Sequence, residues 1–524
     1  MVYNLGPARL WMRIYSCLHA QFAILMLLLM VGSVAAATVI NVPADQPTIQ
    51  AGINAASNGD TVLVAPGTYT ENIDFKGKAI TVRSSGGAKV TIIDGGNLAP
   101  VATFASGETL QSVLMGFTIQ NGTSTFNSGY DGGGIIVSGA SPTIKNNVIQ
   151  NNTACDGGGG IATGFASPLI QSNTIRNNSQ SGCTGGIGGG GISVRGASSV
   201  QIIGNTIENN SWSSSDGGGI ALFAAGSTFI ENNVILGNSS GGNGGGISML
   251  NDASGTLIVQ NLIFGNNAFG GSGVYWSNPP AALINNTIAD GPSSSGSTVQ
   301  ADDFATPITV ANNVIVASKG ATNALFCTSA NISSPQTFYA NDVFSTKGAA
   351  YGGMCADQTG MNGNISASAQ FVGSSNFRLR GGSPAIDAGN NSVPNLPKTD
   401  LAGNPRIVNG NDGLIALVDM GSYEFIPVTL IPKTLNFGMQ PVGSTTTKTV
   451  TLTNAQNKTL NISSKTVPTG YKVSGCGTTV VAFSSCSLTI TFHPLMTGSF
   501  KGNVTVKDNA GNSPQTVSLS GSAH

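Results

Sequence analysis

Six times between residues 131 and 275 the chain writes a glycine run followed by a β-branched residue. The runs end at Ile135, Ile161, Ile192, Ile220, Ile247 and Val274, at spacings of 26, 31, 28, 27 and 27 residues. A second word follows each, an asparagine two positions before an Ile: Asn147, Asn173, Asn205, Asn233, Asn261, Asn286 and, once more, Asn313. Its spacings are 26, 32, 28, 28, 25 and 27. A fixed period of roughly 20–50 residues means a repeat architecture in which each unit buries its apolar face only against its neighbours. The units here are short strands, so the period predicts an all-β solenoid.

Within a rung the alternation is legible. In Ile192-Ser193-Val194-Arg195 and Ile220-Ala221-Leu222-Phe223 the first and third residues point inward and the others outward. The glycine runs are expected to supply positive φ at one corner. The asparagines are expected to tolerate the left-handed region at another and to stack as amide ladders. Ahead of the repeat, Thr38–Val42 reads as a strand and Thr48–Ala56 as a short helix with Ile49, Ile53 and Ala56 on one face. Such a helix would cap the open edge of the first rung. Coils are then expected from about 60 to 390, about a dozen in all.

Composition narrows the class. Of 524 residues only 9% are charged, the net charge is -1 and 40% are hydrophobic, so the chain folds and offers no basic patch for nucleic acid. Arg9, Arg13, the apolar run Phe22–Val31 and Ala35-Ala36-Ala37 read as a secretory signal over residues 1–37. No later stretch reaches 18 apolar residues, so no membrane span is expected in the mature chain, which is read as secreted or cell-surface. Six cysteines remain after Cys17: Cys155–Cys183 and Cys327–Cys355, each one coil apart at 28 residues, and Cys476–Cys486. In an exported chain that pattern favours three disulfides over metal. From Pro427 the composition changes, and short alternating strands over 428–521 read as a β-sandwich.

Three resemblances follow from particular words. Asp45-Gln46-Pro47-Thr48-Ile49-Gln50-Ala51-Gly52-Ile53 with Gly59-Asp60-Thr61-Val62-Leu63-Val64-Ala65-Pro66-Gly67-Thr68-Tyr69 resembles the opening of right-handed parallel β-helix proteins of the pectate-lyase-like superfamily. Region 371–424, through Ser383-Pro384-Ala385-Ile386-Asp387-Ala388-Gly389, Asp400–Arg406 and Val418–Glu424, resembles the terminal module called choice-of-anchor Q. The resulting division is a β-helix with its cap and terminal region over 38–425, then the sandwich. Leu435-Asn436-Phe437-Gly438, Cys486–Pro494 and Leu519-Ser520-Gly521 resemble the immunoglobulin-like choice-of-anchor D (abnormal-spindle/hydin-type) module.

The β-helix resemblance implies lyases and glycosidases among the relatives, but fold does not carry activity. The three histidines, His19, His493 and His524, all fall outside the repeat, so the Gly-His pair of the polygalacturonase pattern is absent. Asp302-Asp303 is a paired carboxylate that invites a glycosidase reading, against a solvated turn. A lyase needs a base, for which Arg195 is the outward candidate, with Lys145 and Arg176 on other rungs. Calcium, the one cofactor left open, would draw on Asp131, Asp156 and Asp216, though Asp before Gly is also a common turn signature. Arg176 and Glu208 read as a surface ion pair. Arg195, Phe223 and Tyr275 could stack on sugar rings. Asp387, Asp400, Arg406, Asp419 and Glu424 are read as structural, closing the last rungs. Two functions remain: a structural, adhesive or polysaccharide-binding platform facing a polysaccharide or cell-envelope component, and a polysaccharide lyase or hydrolase.

Overall fold

The computed structural model describes residues 36–524 apart from 126–130, 181, 183–187, 197–198, 252–254, 292–295, 304–306, 329–336, 412 and 414. The expected signal therefore lies almost wholly outside the described residues, as does Cys183. Three long parallel sheets run along a solenoid, one of 12 strands and two of 11. The first sheet runs from Val39–Val42 to Thr337–Tyr339, the second from Gly67–Thr70 to Asp342–Ser345, the third from Ile73–Asp74 to Tyr351–Gly353. One coil passes through Ile161–Gly164 of the third sheet, Leu169–Gln171 of the first and Thr174–Arg176 of the second.

The period of the sequence is the register of the sheets. Ile135, Ile161, Ile192, Ile220, Ile247 and Val274 pair residue for residue up the third sheet. Ile144, Ile170, Ile202, Ile230 and Ile258 do so in the first, and Ile149, Ile175, Ile207, Ile235 and Ile263 in the second. All are fully buried, so the core is three columns of branched aliphatic side chains. Helix α1, Ile49–Ala55, caps the first rung as expected, with Ile49, Ile53 and Ala56 in that core. The Glu71 carboxylate accepts the backbone N–H groups of Ile49 and Gln50, and Lys78 donates to the carbonyls of Ile53, Asn54 and Ala56. Both helix ends thus find partners of the sign that the helix dipole favours.

One expectation about the corners needs correction, and another holds only in part. At the corner between the first and second sheets, the left-handed residue is the one before the repeat asparagine: Asn146, Ser172, Asn232, Gln260, Asn285 and Asn312. The repeat asparagine itself is buried and makes the ladder, from Asn147 through Asn313 and on to Asn341 and Asn364. A second ladder, Asn152, Asn178, Asn210, Asn238 and Asn266, stands at the next corner. The glycine runs supply positive φ as expected at Gly157, Gly217, Gly244 and Gly271, but their other members are set by space. Gly158, Gly189 and Gly190 do not take positive φ, yet a Cβ on Gly158 would sit 1.9 Å from the Ile161 carbonyl oxygen. The runs fold across the outer side of the third sheet, where no side chain fits.

Coiling also ends earlier than expected. The last parallel pairings involve Tyr351–Gly353 and the bridge from Asp342 to Ile365. Residues 370–425 instead double back along the corner between the first and second sheets. Gln260 donates to the Thr399 carbonyl at 2.6 Å, Asn285 to that of Asp419 at 3.2 Å, and Asn312 to that of Asn390 at 3.1 Å. These are three of the left-handed corner residues, on successive rungs. Beneath this return segment the outer positions turn apolar, with the Phe264 and Phe377 rings tilted against each other at 4.7 Å between centroids.

Asp342 lies under the start of the return segment. Its Oδ1 accepts the Ala367 N–H at 3.0 Å, its Oδ2 has no partner, and burial pushes its pKa up to about 7. An unfolded Asp titrates near 3.9, so the folded chain holds this proton more tightly. That stabilising contribution is complete below about pH 4 and is lost as pH rises through about 7. Asp342→Asn is therefore expected to melt higher than wild type at pH 8, with an upper bound of about 4 kcal/mol, and to match it near pH 4. Thermal melts across that range check this, and parallel curves for the two chains would contradict it.

After Pro427 the chain forms two antiparallel-rich sheets of 4 and 5 strands packed around their own core, including Val450, Leu488, Ile490 and Phe492. Disulfides join Cys327 to Cys355, with Cα atoms 5.1 Å apart, and Cys476 to Cys486, at 5.3 Å. Cys155 is also disulfide-bonded.

Candidate functional site

The outer side of the third sheet carries most of the residues singled out from the sequence, but it is half closed. Glycine runs lie over the column Ala162, Ser193, Ala221 and Ser248, which is buried despite facing outward. Tyr275 continues that column and is 5% exposed. Two residues further along the strands the face opens at Phe223 and Leu250, which are half-buried, while Arg195 beside them stays buried.

Arg195 does not stand free there. Its Nη2 donates to Asp156 Oδ1 at 2.6 Å, and its guanidinium carbon lies 5.9 Å from the Phe223 ring centroid. A largely buried pair of this kind orders the turn that carries Asp156; as a source of net stability it is weak. The neighbouring position holds a residue not singled out from the sequence. Phe165 is 63% exposed and takes φ +49, in the left-handed region. Equivalent positions on nearby rungs are Gly139, Gly196, Ala224 and Asn251. The missing Cβ of Gly196 gives the Phe165 ring its place, 2.8 Å from where that carbon would be. A bulky side chain in a strained backbone state and open to water is the kind of outlier that function retains. The sequence signal was a large residue at a corner otherwise filled by small ones.

The acidic residues gather further up the sheet. Asp302 accepts from Tyr275 Oη at 2.7 Å, Gln300 Nε2 at 3.1 Å and Thr328 Oγ1 at 2.8 Å. Asp303 offers its backbone carbonyl to Trp276 Nε1 at 3.2 Å. Asp216 accepts the Asn243 N–H, and burial, reinforced by the charge of Asp302, raises its pKa. Burial and then the Asp302 hydrogen bond raise that of Tyr275. The adjacent aspartates thus serve separate hydrogen bonds.

Basic residues are scattered. Lys145 stands on the first sheet, Arg176 on the second and Arg195 on the third. Arg176 donates twice to Gln150 Oε1, at 3.0 and 2.9 Å, and lies 3.9 Å from Glu208, inside a polar row that continues through Gln120 to Asp94. The carboxylates considered for calcium do not converge either. Asp131 is in register with Gly157, one residue beyond Asp156, and Asp156 is turned to Arg195. Among the described residues no group of three or more His, Cys, Asp or Glu side chains is placed to hold a metal ion.

The charged residues of the return segment are bonded mainly to backbone. Asp387 accepts from Gly410 and Asn411, Asp400 from Ala402, Asn404 and Glu424, Asp419 from Asp387 and Phe425, and Glu424 from Val408 and Asp419. Arg406, fully buried, donates to the carbonyls of Asp419 and Gly421. They shape turns on the side of the solenoid, against rungs at residues 260–312, rather than closing its last rungs.

Comparison with known proteins fits this geometry. The model described as "Right handed beta helix region" matches residues 67–263 and 184–343, together more than half the chain. The model described as "Abnormal spindle-like microcephaly-assoc'd, ASPM-SPD-2-Hydin" matches 427–516, which is the sandwich. A search of curated proteins finds no match. Solved structures with partial likeness include a PapD-like domain of human CEP192 (16% identity, 19% of this chain and 85% of that one, TM-score 0.17). Vibrio cholerae VesB protease gives 16% identity over 23% of this chain and 42% of that one, TM-score 0.17. A Porphyromonas gingivalis protein of unknown function gives 15% over 22% and 60%, also at 0.17. At such scores nothing about fold or activity follows from those likenesses. The family rests on the stacked rungs and on the model that spans them: the chain belongs to the right-handed β-helix family and carries a C-terminal immunoglobulin-like ASH module.

Proposed function

We propose that this chain is an extracellular structural β-helix that holds a polysaccharide against the open edge of its third sheet, with Phe165 and Phe223 as stacking faces and Arg195 beneath them. The observation that carries this reading is the exposed, strained Phe165 beside an ordered Arg195–Phe223 pair. Aromatic faces suit the apolar faces of sugar rings. The disulfides and the absence, among the described residues, of any helix long and apolar enough to cross a membrane are compatible with an extracellular setting. A lyase or hydrolase finds less support, because the three candidate bases stand on three sheets and the Asp302 carboxylate is held by three side-chain donors.

Electrophoresis of the purified chain through gels containing single polysaccharides tests the reading. Retardation by at least one glycan is expected, falling by about tenfold in apparent affinity in Phe165→Ala, the worth of one good aromatic stacking contact. Alanine keeps the Cβ and with it the left-handed strain at φ +49, and an exposed ring is all that is lost, so that variant should fold with a stability close to wild type. Full retention by a folded Phe165→Ala chain would reject the platform.

A further inference from the structure

The outer column of the second sheet leaves a hollow under the start of the return segment. Up that column stand Phe264, Ala289, Val316 and Phe344, in register on successive rungs. Phe377 of the return segment lies against Phe264, and Phe371 meets Phe377 edge-on with centroids 5.0 Å apart. Alanine and valine are too short to fill the step between the two phenyl rings of the column. What remains is a pocket of about 240 Å³, lined by Ala289, Val316, Phe344, Phe371 and Phe377, with the exposed Lys319 at its lip. An apolar cavity of about 150 Å³ takes a benzene molecule, so one aromatic ring with a short arm fits here. Aromatic rings favour tilted and edge-on contacts, and these walls already meet each other in that way.

The lip decides what the arm carries. Asp290 follows Asn266 in the register of the second asparagine ladder, so the next position there is a carboxylate. That carboxylate is fully buried and accepts the backbone N–H groups of Ser318 at 2.8 Å, Lys319 at 2.8 Å, Gly320 at 2.6 Å and Ala321 at 2.9 Å. From the next rung, Lys347 Nζ donates to the Lys319 carbonyl. The loop is thus fixed from two sides and its own charge stays outside: the Lys319 side chain enters no ion pair among the described residues. No Asp or Glu stands among the described residues that line the pocket. An apolar chamber with a single unpaired cation at its mouth is complementary to a ring that bears one negative charge.

We propose that this pocket binds a small aromatic monocarboxylate, its ring between Phe344 and Phe377 and its carboxylate on Lys319. The site does not rest on the platform reading. It lies on the second sheet rather than the third and takes a different class of ligand.

Calorimetric titration of the full chain tests it, with phenylacetate as the probe and phenethyl alcohol, phenethylamine and hexanoate as controls. Phenylacetate is expected to bind about fivefold more tightly than the alcohol, the upper worth of one exposed ion pair, and more tightly than hexanoate, which has no ring. Lys319→Glu should reverse the order of phenylacetate and phenethylamine, a switch that a merely structural lysine would not produce. Ala289→Leu should fill the hollow and abolish binding of the ring. Lys319 is exposed, so its variant keeps the test usable where Ala289→Leu fails to fold. No measurable binding of phenylacetate to wild type overturns the proposal, as does equal binding of hexanoate. An unchanged order in Lys319→Glu overturns it too. Binding that a folded Ala289→Leu chain retains, or that Phe165→Ala removes, places the acid elsewhere and is equally fatal.

Discussion

Asn233→Val is expected to destabilise the solenoid by about 3–5 kcal/mol, whereas Asn232→Gly, one residue earlier, should change stability by under about 1 kcal/mol. Asn233 is a middle member of the first ladder. Its Oδ1 accepts the backbone N–H of Asn205 at 2.8 Å and that residue's Nδ2 at 3.0 Å. Its Nδ2 donates to the Ile202 carbonyl at 2.8 Å and to Asn261 Oδ1 at 2.9 Å. A valine fills much of the space but takes the Asn205 backbone N–H and the Ile202 carbonyl from their side-chain partner and interrupts the ladder. Asn205 Nδ2 keeps Ile170 and Ile203, and Asn261 Oδ1 keeps the backbone N–H of residue 233. Asn232 holds the left-handed turn, φ +57, which glycine adopts without strain. The loss there is one side-chain contact, from Gln260 Nε2 at 2.7 Å. Urea unfolding followed by far-ultraviolet circular dichroism measures both variants. Equal midpoints would mean that ladder and turn are not divided between the two residues.

Gly158→Ala should cost more than about 3 kcal/mol or prevent folding, because overpacking against backbone cannot be relieved by a rotamer change. The added carbon would meet the Ile161 carbonyl oxygen at 1.9 Å and the Ala162 nitrogen at 2.9 Å. Gly139→Ala is the informative contrast. It has open space around it but φ +59, so its cost is only the left-handed penalty of about 1 kcal/mol. If crowding accounts for Gly158, Gly158→Ala loses far more; a purely conformational account would reverse the order, since only Gly139 takes positive φ. Thermal melts distinguish the two accounts.

Much of the fold was legible because register and sequence period are the same quantity in a solenoid. Ile135 to Val274 and the asparagine words needed only counting. The capping helix and the pairings Cys327–Cys355 and Cys476–Cys486 were legible for similarly local reasons. The return segment was not, since Gln260 meets Thr399 across 139 residues and no periodic signal marks the contact. The glycine runs were assigned to the right place for half of the reason: positive φ accounts for Gly157, Gly217, Gly244 and Gly271, while only packing shows what a side chain at the others would have struck. On the third sheet, alternation correctly sent Tyr275 outward, but outward there means under a glycine run. Phe165 went unnoticed because its only signal was size at a corner otherwise filled by small residues, and its interest lies in a backbone angle.

The most direct test is amide hydrogen exchange of the chain with and without the polysaccharide that retards it best. Slower exchange confined to peptides spanning 161–166 and 220–225 is the expected result, with the polymer recovered intact. Protection centred on Asp216 and Asp302, accompanied by new reducing ends or unsaturated uronates, would contradict it and restore the enzyme.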